Sequence, residues 1–553
     1  ITTGAKDLAG NSIVSNYVWS FTTGTLPGAV LTVTKSGTGS GTVTSSPAGI
    51  NCGTDCSEVY NSGTIVTLTV TPLTGSTFVG WSGDLDCSDG TVTMDANKSC
   101  IATFNSVPLP SGSLDPSFGI GGIVNTNISG ADVANAIAIQ SDGKILIAGQ
   151  SCTPDCGFAV ARYNPDGTLD QSFGTGGFMT TIIGDSGFAN DLAIQTDGKI
   201  VVAGIACIIA DCNFALARYN TNGVLDTTFG TGGIVNTIIG DSSFADALAI
   251  QTDGKIVAVG SSFVGVSLAR YNNNGTLDPT FGRGGIVTIP DIGAVASDLA
   301  IQPDGKIVAG GNFDLARVNT NGTLDTTFGT GGIAGGPFGS GESLALQVDG
   351  KILVAGSSLN GITSILDFAV VRYNPNGTLD LTFDTDGIVT TDINGEDIAH
   401  AIAIQADGKI VVAGESIGNT GTDFTLVRYN PDGTLDSSFG AAGIVTTNIG
   451  DFSSANAIAI QADGKIVAAG WSDINLGGFA LARYLSNSSG PILNVTASGT
   501  GSGTVTSSPA GINCGLDCTE PYATGTIVTL IAFPNFPAGQ VGAAVEQGHA
   551  LLL

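Results

Sequence analysis

From about residue 111 to residue 485 the chain does not alternate apolar with polar positions. It alternates small with large apolar residues, as in Ala136-Ile137-Ala138-Ile139, and interrupts them with Asp-Gly steps. Strands that are apolar on both faces predict sheets buried on both faces. The pattern is periodic. The segment AIAIQxDGKIxxAG places its Asp at Asp142, Asp197, Asp253, Asp304, Asp349, Asp407 and Asp463, with spacings of 55, 56, 51, 45, 58 and 56 residues. Two more markers keep step with it. LDxxF begins at Leu114, Leu169, Leu225, Leu277, Leu324, Leu379 and Leu435, and [AV]R[YV] carries Arg162, Arg218, Arg270, Arg317, Arg372, Arg428 and Arg483.

Four strands can be drawn in each unit. In the second unit the first follows Gly176-Gly177, the second runs near Asp191 to Gln195, the third covers Lys199 to Ala203 and the fourth Phe214 to Tyr219. The Asp197-Gly198 step predicts a type I′ hairpin, which needs positive φ at both central residues. A four-stranded sheet that is apolar on both faces needs a neighbour on each side. Seven of them in series predict an all-β protein built on a seven-bladed β-propeller with small flanking β domains, closed into a ring because an open array would leave two apolar faces in water.

The flanks carry a smaller repeat. Residues 34–56 and 496–518 differ only at Lys35/Ala497 and Thr54/Leu516, and the similarity runs on to Leu68 and Leu530 before the second copy loses it. The expected units are therefore 1–27, 28–106, 107–488 and 489–553, the last one truncated, with an aberrant tail.

These residues resemble known families. The repeat LDxxFGxGG, AIAIQxDGKIVVAG and FALARYNxDG resembles the delta-60 repeat of bacterial proteins, with Val318 standing where the other units have Tyr. That resemblance implies a propeller, an extracytoplasmic setting and no catalytic residues. The first flanking copy, with SGTGSGTVTSSPAGINCGTDC and then STFVGWSG, is similar to the divergent internalin B-repeat of bacterial surface proteins. Residues 1–25, with KDLAGN and YVWSFTTG, resemble the last strands of a bacterial Ig-like domain.

Composition narrows the partners. With 18 basic and 47 acidic residues the net charge is -29, which argues against nucleic acid or an anionic membrane surface. A hydrophobic content of 42% argues against a disordered acidic tail. The longest apolar run, Ile200 to Ala210, is too short to span a bilayer. No signal-like segment opens the chain, so any export signal is expected upstream. The ten cysteines fall mostly in close pairs: Cys52/Cys56, Cys152/Cys156, Cys207/Cys212 and Cys514/Cys518, with Cys87 and Cys100 in the domain of the first. Zinc competes for such pairs, but only two histidines exist and the pairs lie in separate units. Disulfides are expected, and with them an oxidising, extracellular or cell-surface setting.

Each DGK lysine and strand-four arginine is accompanied by the Asp of DGK and the Asp of LDxxF, which predicts ion pairs stitching adjacent blades. The loops NPDGTLD, as at Asn164, Asp166 and Asp170, suit turn chemistry better than an EF-hand, since they lack its terminal Glu. The calcium candidates are Asp384 and Asp386, ahead of Gly387; no other cofactor is expected. No GxSxG, P-loop or HExxH motif occurs, and His400, alone beside Ala401, reads as structural.

On the face opposite the DGK turns the loops differ between units. They hold acids that no Lys or Arg accompanies in the sequence, including Asp185, Asp241, Glu342, Glu396, Asp397, Glu415 and Asp451. Divergent loops on a rigid scaffold are where recognition is expected. The reading is an exported, monomeric binding or adhesion scaffold whose acidic face takes a surface ligand, a cation or a basic protein. The alternatives are an extracellular carbohydrate-active enzyme using loop carboxylates and a purely structural spacer.

Overall fold

The computed structural model describes residues 6, 9–12, 28–73, 75–106, 109–152, 155–208, 211–263, 265–290, 296–337, 339–359, 365–417, 421–474 and 477–486, then 492–495, 503–508, 513–514, 519–521, 527–534 and 549–552. Most of the Ig-like fragment expected at 1–27 and most of the module expected at 489–553, including Cys518 of the Cys514/Cys518 pair, lie outside them. The chain divides into two compact units, Ile1–Pro108 and Leu109–Leu553.

In the first unit Ser57–Asn61, Gly28–Ser36, Lys98–Ser106 and Ser76–Gly83 form one sheet in that order, and Gly41–Ser46, Ile65–Pro72 and Thr91–Thr93 form a second. Leu31, Val43, Val66, Met94 and Phe104 fill the core, with Trp81 packed at its edge. Disulfides Cys52–Cys56 and Cys87–Cys100 close it. In so small a unit cross-links supplement a limited apolar core.

In the second unit, described residues between 123 and 484 form seven four-stranded antiparallel sheets. The second blade runs from inside outward as Ser186–Ile194, Ile200–Ile208, Asp211–Tyr219 and Ile234–Thr237. The strand after each Gly-Gly therefore closes the preceding blade; it does not open its own, as the sequence unit suggested. Phe178–Thr181 pairs with Phe158–Ala161 of the first blade. The connection folds back at once: Asp170 N–H donates to the Arg162 carbonyl and Arg162 N–H to that of Gly177, at 2.9 Å each.

This offset leaves the last blade short of one strand. Ser453–Ile460, Ile466–Ser472 and Gly478–Tyr484 receive Ile123–Thr126 from the start of the propeller, in register from Phe479↔Thr126 to Ala482↔Ile123. The ring is closed by strand pairing between its two ends.

Both faces of each blade are buried, as the small–large alternation predicts. Leu146, Ala148 and Val160 pack on Ile200, Val202 and Ala217 of the next blade, while Ile145, Ile147 and Ala161 meet Val467, Ala469 and Leu481 across the closure. Tyr219 and Tyr271 reach one blade back, their hydroxyls 2.8 Å from Thr181 and Thr237. Where Val318 replaces Tyr, the facing residue is Ile289, and both are buried together. Losing both polar partners at once leaves neither unsatisfied.

The DGK hairpin differs in type from the expectation. Gly198 has φ 81° and Asp197 is not left-handed. Gln195 N–H donates to Lys199 and Gly198 N–H to Gln195, each at 2.8 Å. This is the longer hairpin with a left-handed glycine, in which only the glycine needs positive φ. Among the described residues no helix is long and apolar enough to cross a membrane.

Candidate functional site: an axial funnel

The charged markers build one end of the blades. Lys144 and Arg162 converge on Asp170 at 3.1 and 2.8 Å, and the Arg162 guanidinium lies over Phe173, 4.6 Å from the ring centroid. The three sequence markers are thus one structural cluster. Its ion pairs lie within a blade, which corrects the expectation that they stitch neighbours. What crosses to the next blade is the Arg Nη1 donor, bonded to a backbone carbonyl: Thr221 for Arg162, Thr320 for Arg270 and Pro375 for Arg317, each at 2.6 Å. A planar fork with several donors can serve an acid and a carbonyl together; a lysine cannot.

The other feature of each blade is a bulge. In six blades the inner strand shifts register by one residue against the second, at Asn135, Asn190, Asp246, Glu342, His400 and Asn456. Ser297 holds the equivalent place in the fourth blade, just ahead of Asp298–Ile301. A bulge re-aims the extra side chain. The glycine of the marker AG accommodates it, since a Cβ at Gly204 or Gly260 would collide with the carbonyl oxygen of Phe188 or Phe244.

All seven residues line the axis. They form the neck between a funnel of about 660 Å³, with Phe244, Ile205 and Ser261 also in its wall, and an inner chamber of about 180 Å³ that also holds Asp191 and Asp298. The amides of Asn135, Asn190 and Asn456 point tangentially, their Nδ2 donating at 2.9 Å to the carbonyls of Ala189, Ala245 and Ala134 in the next blade. Ser261 Oγ donates to Asp246 at 3.2 Å, and Ser340 Oγ to Glu342. Among the described residues no lysine or arginine lines the neck.

Burial, helped by nearby Glu342, pushes the Asp246 carboxyl up to about 7 despite the Ser261 bonds. Burial lowers the pKa of His400, partly offset by Glu415 and Glu342. Asp191 and Asp298, pushed up by burial to about 7 and about 6, also tie blades together. Asp191 accepts from Leu248 N–H and Asp298 from Leu344 N–H, each at 2.7 Å.

Two carboxylate sets therefore oppose each other with pH. Burial disfavours ionisation of Asp170, Asp226, Asp380 and Asp436 too, but hydrogen bonds from the following Ser or Thr and the adjacent Lys and Arg outweigh it and hold them well below the usual range. Their contribution is present above about pH 4 and is lost on further acidification. The raised axial acids bind more protons folded than unfolded, so their contribution falls as pH rises from about 4 to about 7. Thermal melts from pH 3 to 9 are expected to peak near pH 5. Asp191→Asn with Asp298→Asn should flatten the alkaline side of that curve; an unchanged slope would refute the assignment.

The residues singled out in the sequence separate into groups. Asp185, Asp241, Glu396 and Asp451 are exposed on the links between blades. Asp397 is buried and shares a cluster with Asp367 and Asp392, their carboxylate oxygens within 4.8 Å of one another. Asp384 and Asp386 sit in the outer connection of their blade; Asp386 accepts from Ile388 N–H at 3.0 Å in a tight turn, and among the described residues they join no such cluster. Three of the four close cysteine pairs are disulfides and Cys87 is joined to Cys100; Cys152–Cys156 and Cys207–Cys212 clip the hairpins between second and third strands.

Glu342 alone of the seven acids stands in the neck. The sequence pattern does not single out Asp246, Asn135, Asn190, Ser297 or Asn456, and it reads His400 as structural. Yet each immediately precedes the five residues of the AIAIQ marker, at a position where the repeats differ in residue type.

Seven closed blades, in a chain that also carries a small β module with two internal disulfides, define a seven-bladed β-propeller protein. Residues 140–173, 195–229, 251–281, 302–328, 347–383, 405–439 and 461–489 match the domain of unknown function (DUF5122) beta-propeller, and the propeller is built of its repeats. Residues 31–108 match the divergent InlB B-repeat domain.

No curated protein matches the chain. Among solved structures, the extracellular domain of BT4673 from B. thetaiotaomicron is 15% identical, with 78% of this chain and 47% of that one covered at a TM-score of 0.39; the match thus spans about half of that protein. A catalytically inactive virginiamycin B lyase from Staphylococcus aureus with quinupristin is 13% identical over 65% of this chain and 98% of that one, at 0.38. Sqt1 from Chaetomium thermophilum gives the same four figures.

Proposed function

We propose that the chain is an exported, secreted or surface-held binding protein, an adhesion scaffold whose ligand enters the axial funnel from the divergent loop face. One observation carries this. Seven repeats hold their structural positions nearly constant, yet the residue aimed at the axis is Asn, Asn, Asp, Ser, Glu, His and Asn in turn. A spacer has no use for that asymmetry, whereas a site that must orient one asymmetric ligand does. The hairpin disulfides and the B-repeat module support an oxidising, extracellular setting.

A second reading, an extracellular glycan hydrolase or lyase, is favoured by Asp246 and Glu342 facing one cavity, one of them titrating near neutrality. The discriminating experiment displays the full chain to a glycan array and a basic-peptide array, beside an Asn456→Trp variant that fills the neck. Binding lost on plugging is the expected result. Cleavage of an arrayed glycan, abolished by Glu342→Gln, would establish the enzyme, and no binding on either array would sink the proposal.

A further inference from the structure

The binding reading leaves the ligand open, and the atoms of the neck narrow it. The three asparagines donate their Nδ2 groups to neighbouring strands. Asn135 Oδ1 takes only a long 3.5 Å bond from Asn456 Nδ2, and Asn456 Oδ1 a 3.0 Å bond from Ser454 Oγ, so the amide oxygens keep acceptor capacity at the neck, beside the carboxyl groups of Asp246 and Glu342. The neck is rich in acceptors and, among the described residues, no lysine or arginine lines it, so it favours a ligand head that brings several N–H donors and positive charge.

A bare metal ion fits less well. Calcium holds oxygens at about 2.3–2.6 Å, and the ligating atoms of Asp246, Glu342 and His400 do not gather within 4.8 Å of one another. Above the neck the wall turns apolar at Phe244 and Ile205, which suits an aliphatic stem whose charged end lies deeper.

The surround is larger than a small amine needs. On the same face the links and hairpin ends expose Ile182, Ile238, Phe263, Leu359 and Phe452, at 53%, 73%, 79%, 64% and 50%. They are interspersed with the exposed acids Asp185, Asp241, Glu396 and Asp451. Exposed apolar groups set among single-sign charge mark a surface for a macromolecular partner of opposite charge.

We propose, resting on the binding reading above, that the occupant is a basic polypeptide segment that inserts one lysine, its ε-ammonium held at the neck by the asparagine carbonyls, Asp246 and Glu342. The stem crosses the apolar wall, and flanking basic and apolar residues lie on the loop face.

The probe is a capped ten-residue peptide of alternating lysine and leucine, titrated calorimetrically into the full chain. Nε-acetylation of its lysines is expected to weaken binding at least tenfold, as is the double variant Asp246→Asn, Glu342→Gln. Asp142→Asn, at the DGK end of the blades, removes a charge without touching the funnel and should change affinity less than twofold. A melting temperature of the double variant close to the parent's shows that its fold is kept.

Equal binding of the acetylated peptide, or no effect of the double variant, would overturn the proposal. So would 1,5-diaminopentane binding as tightly as the peptide, which would assign the neck to free amines. Failure of this peptide while the plugged variant still loses array binding removes only the ammonium assignment; absence of all array binding removes the functional reading beneath it.

Discussion

Deleting residues 109–126 is expected to lower the melting temperature of the propeller by at least about 10 °C and to make its unfolding less cooperative. The segment supplies the outer strand of the last blade. It also supplies Asp115, whose carboxylate lies 2.9 Å from Arg483 and 3.6 Å from Lys465, and Phe118, fully buried beneath the Arg483 guanidinium. Breaking a buried ion pair by removing one partner costs about 3–5 kcal/mol. Exposing a buried Phe pocket adds about 1.5–3 kcal/mol. Together these approach the whole stability of an ordinary domain, and about 2 °C per kcal/mol is a conservative conversion for a chain of this size.

Scanning calorimetry of the deletion, and of a chain with 109–126 reinserted after residue 486, tests the idea. The reinserted chain should recover, because the strand then follows its pairing partner directly. An unaltered melt of the deletion would show that the ring is not held by this strand.

Arg428→Ala is expected to be the most damaging of the arginine substitutions. Arg428 is only 1% exposed by side chain; its Nε donates to Asp436 at 2.8 Å, its Nη2 to Ser111 Oγ at 2.9 Å, and its plane lies 4.4 Å from the centre of Phe439. Ser111 belongs to the closing segment, so this arginine joins the sixth blade to the start of the propeller. Alanine leaves Asp436 with Lys409 as its single cationic partner and opens a cavity. A loss of about 3–5 kcal/mol follows from the broken pair, read as a lowered urea midpoint with an unchanged slope. Lysine should not rescue it, because a point charge cannot make the fork of contacts. A loss below about 1 kcal/mol would mean that the pair is solvated and the burial argument wrong.

Both predictions rest on features that were unevenly legible. The Lys, Asp, Phe and Arg markers recur in the sequence, and their mutual dependence could be inferred from their matched numbers. Which blade each pair serves could not, because the repeat unit of the chain and the blade are offset by one strand. That offset is decided by where the strand after Gly176-Gly177 finds a partner, and it pairs with the strand it has just left. A local connection that folds straight back loses less chain entropy than one that must reach the next blade.

The neck was hidden for a related reason. His400, Asp246 and Asn190 occupy positions that strict alternation would assign to a blade face. The bulge, made possible by glycines such as Gly204 and Gly260, turns them to the axis. A period-two reading cannot register one extra residue in a strand. The loop acids show the converse: Glu342 and Asp185 belong to one compositional class, but one lines a cavity and the other meets open water.

The sequence by itself determined the number of blades, their double-sided burial and the sign of the charge, because each follows from residue types counted or repeated along the chain; its close cysteine pairs pointed to disulfides, and the structure joined Cys87 to Cys100. Only the tertiary structure decided which end strand closes the ring and which seven side chains meet at its centre. Those depend on contacts between residues hundreds of positions apart, such as Asn456 with Ala134 and Arg483 with Asp115, where strand pairing and bulge geometry, and no local pattern, set the outcome.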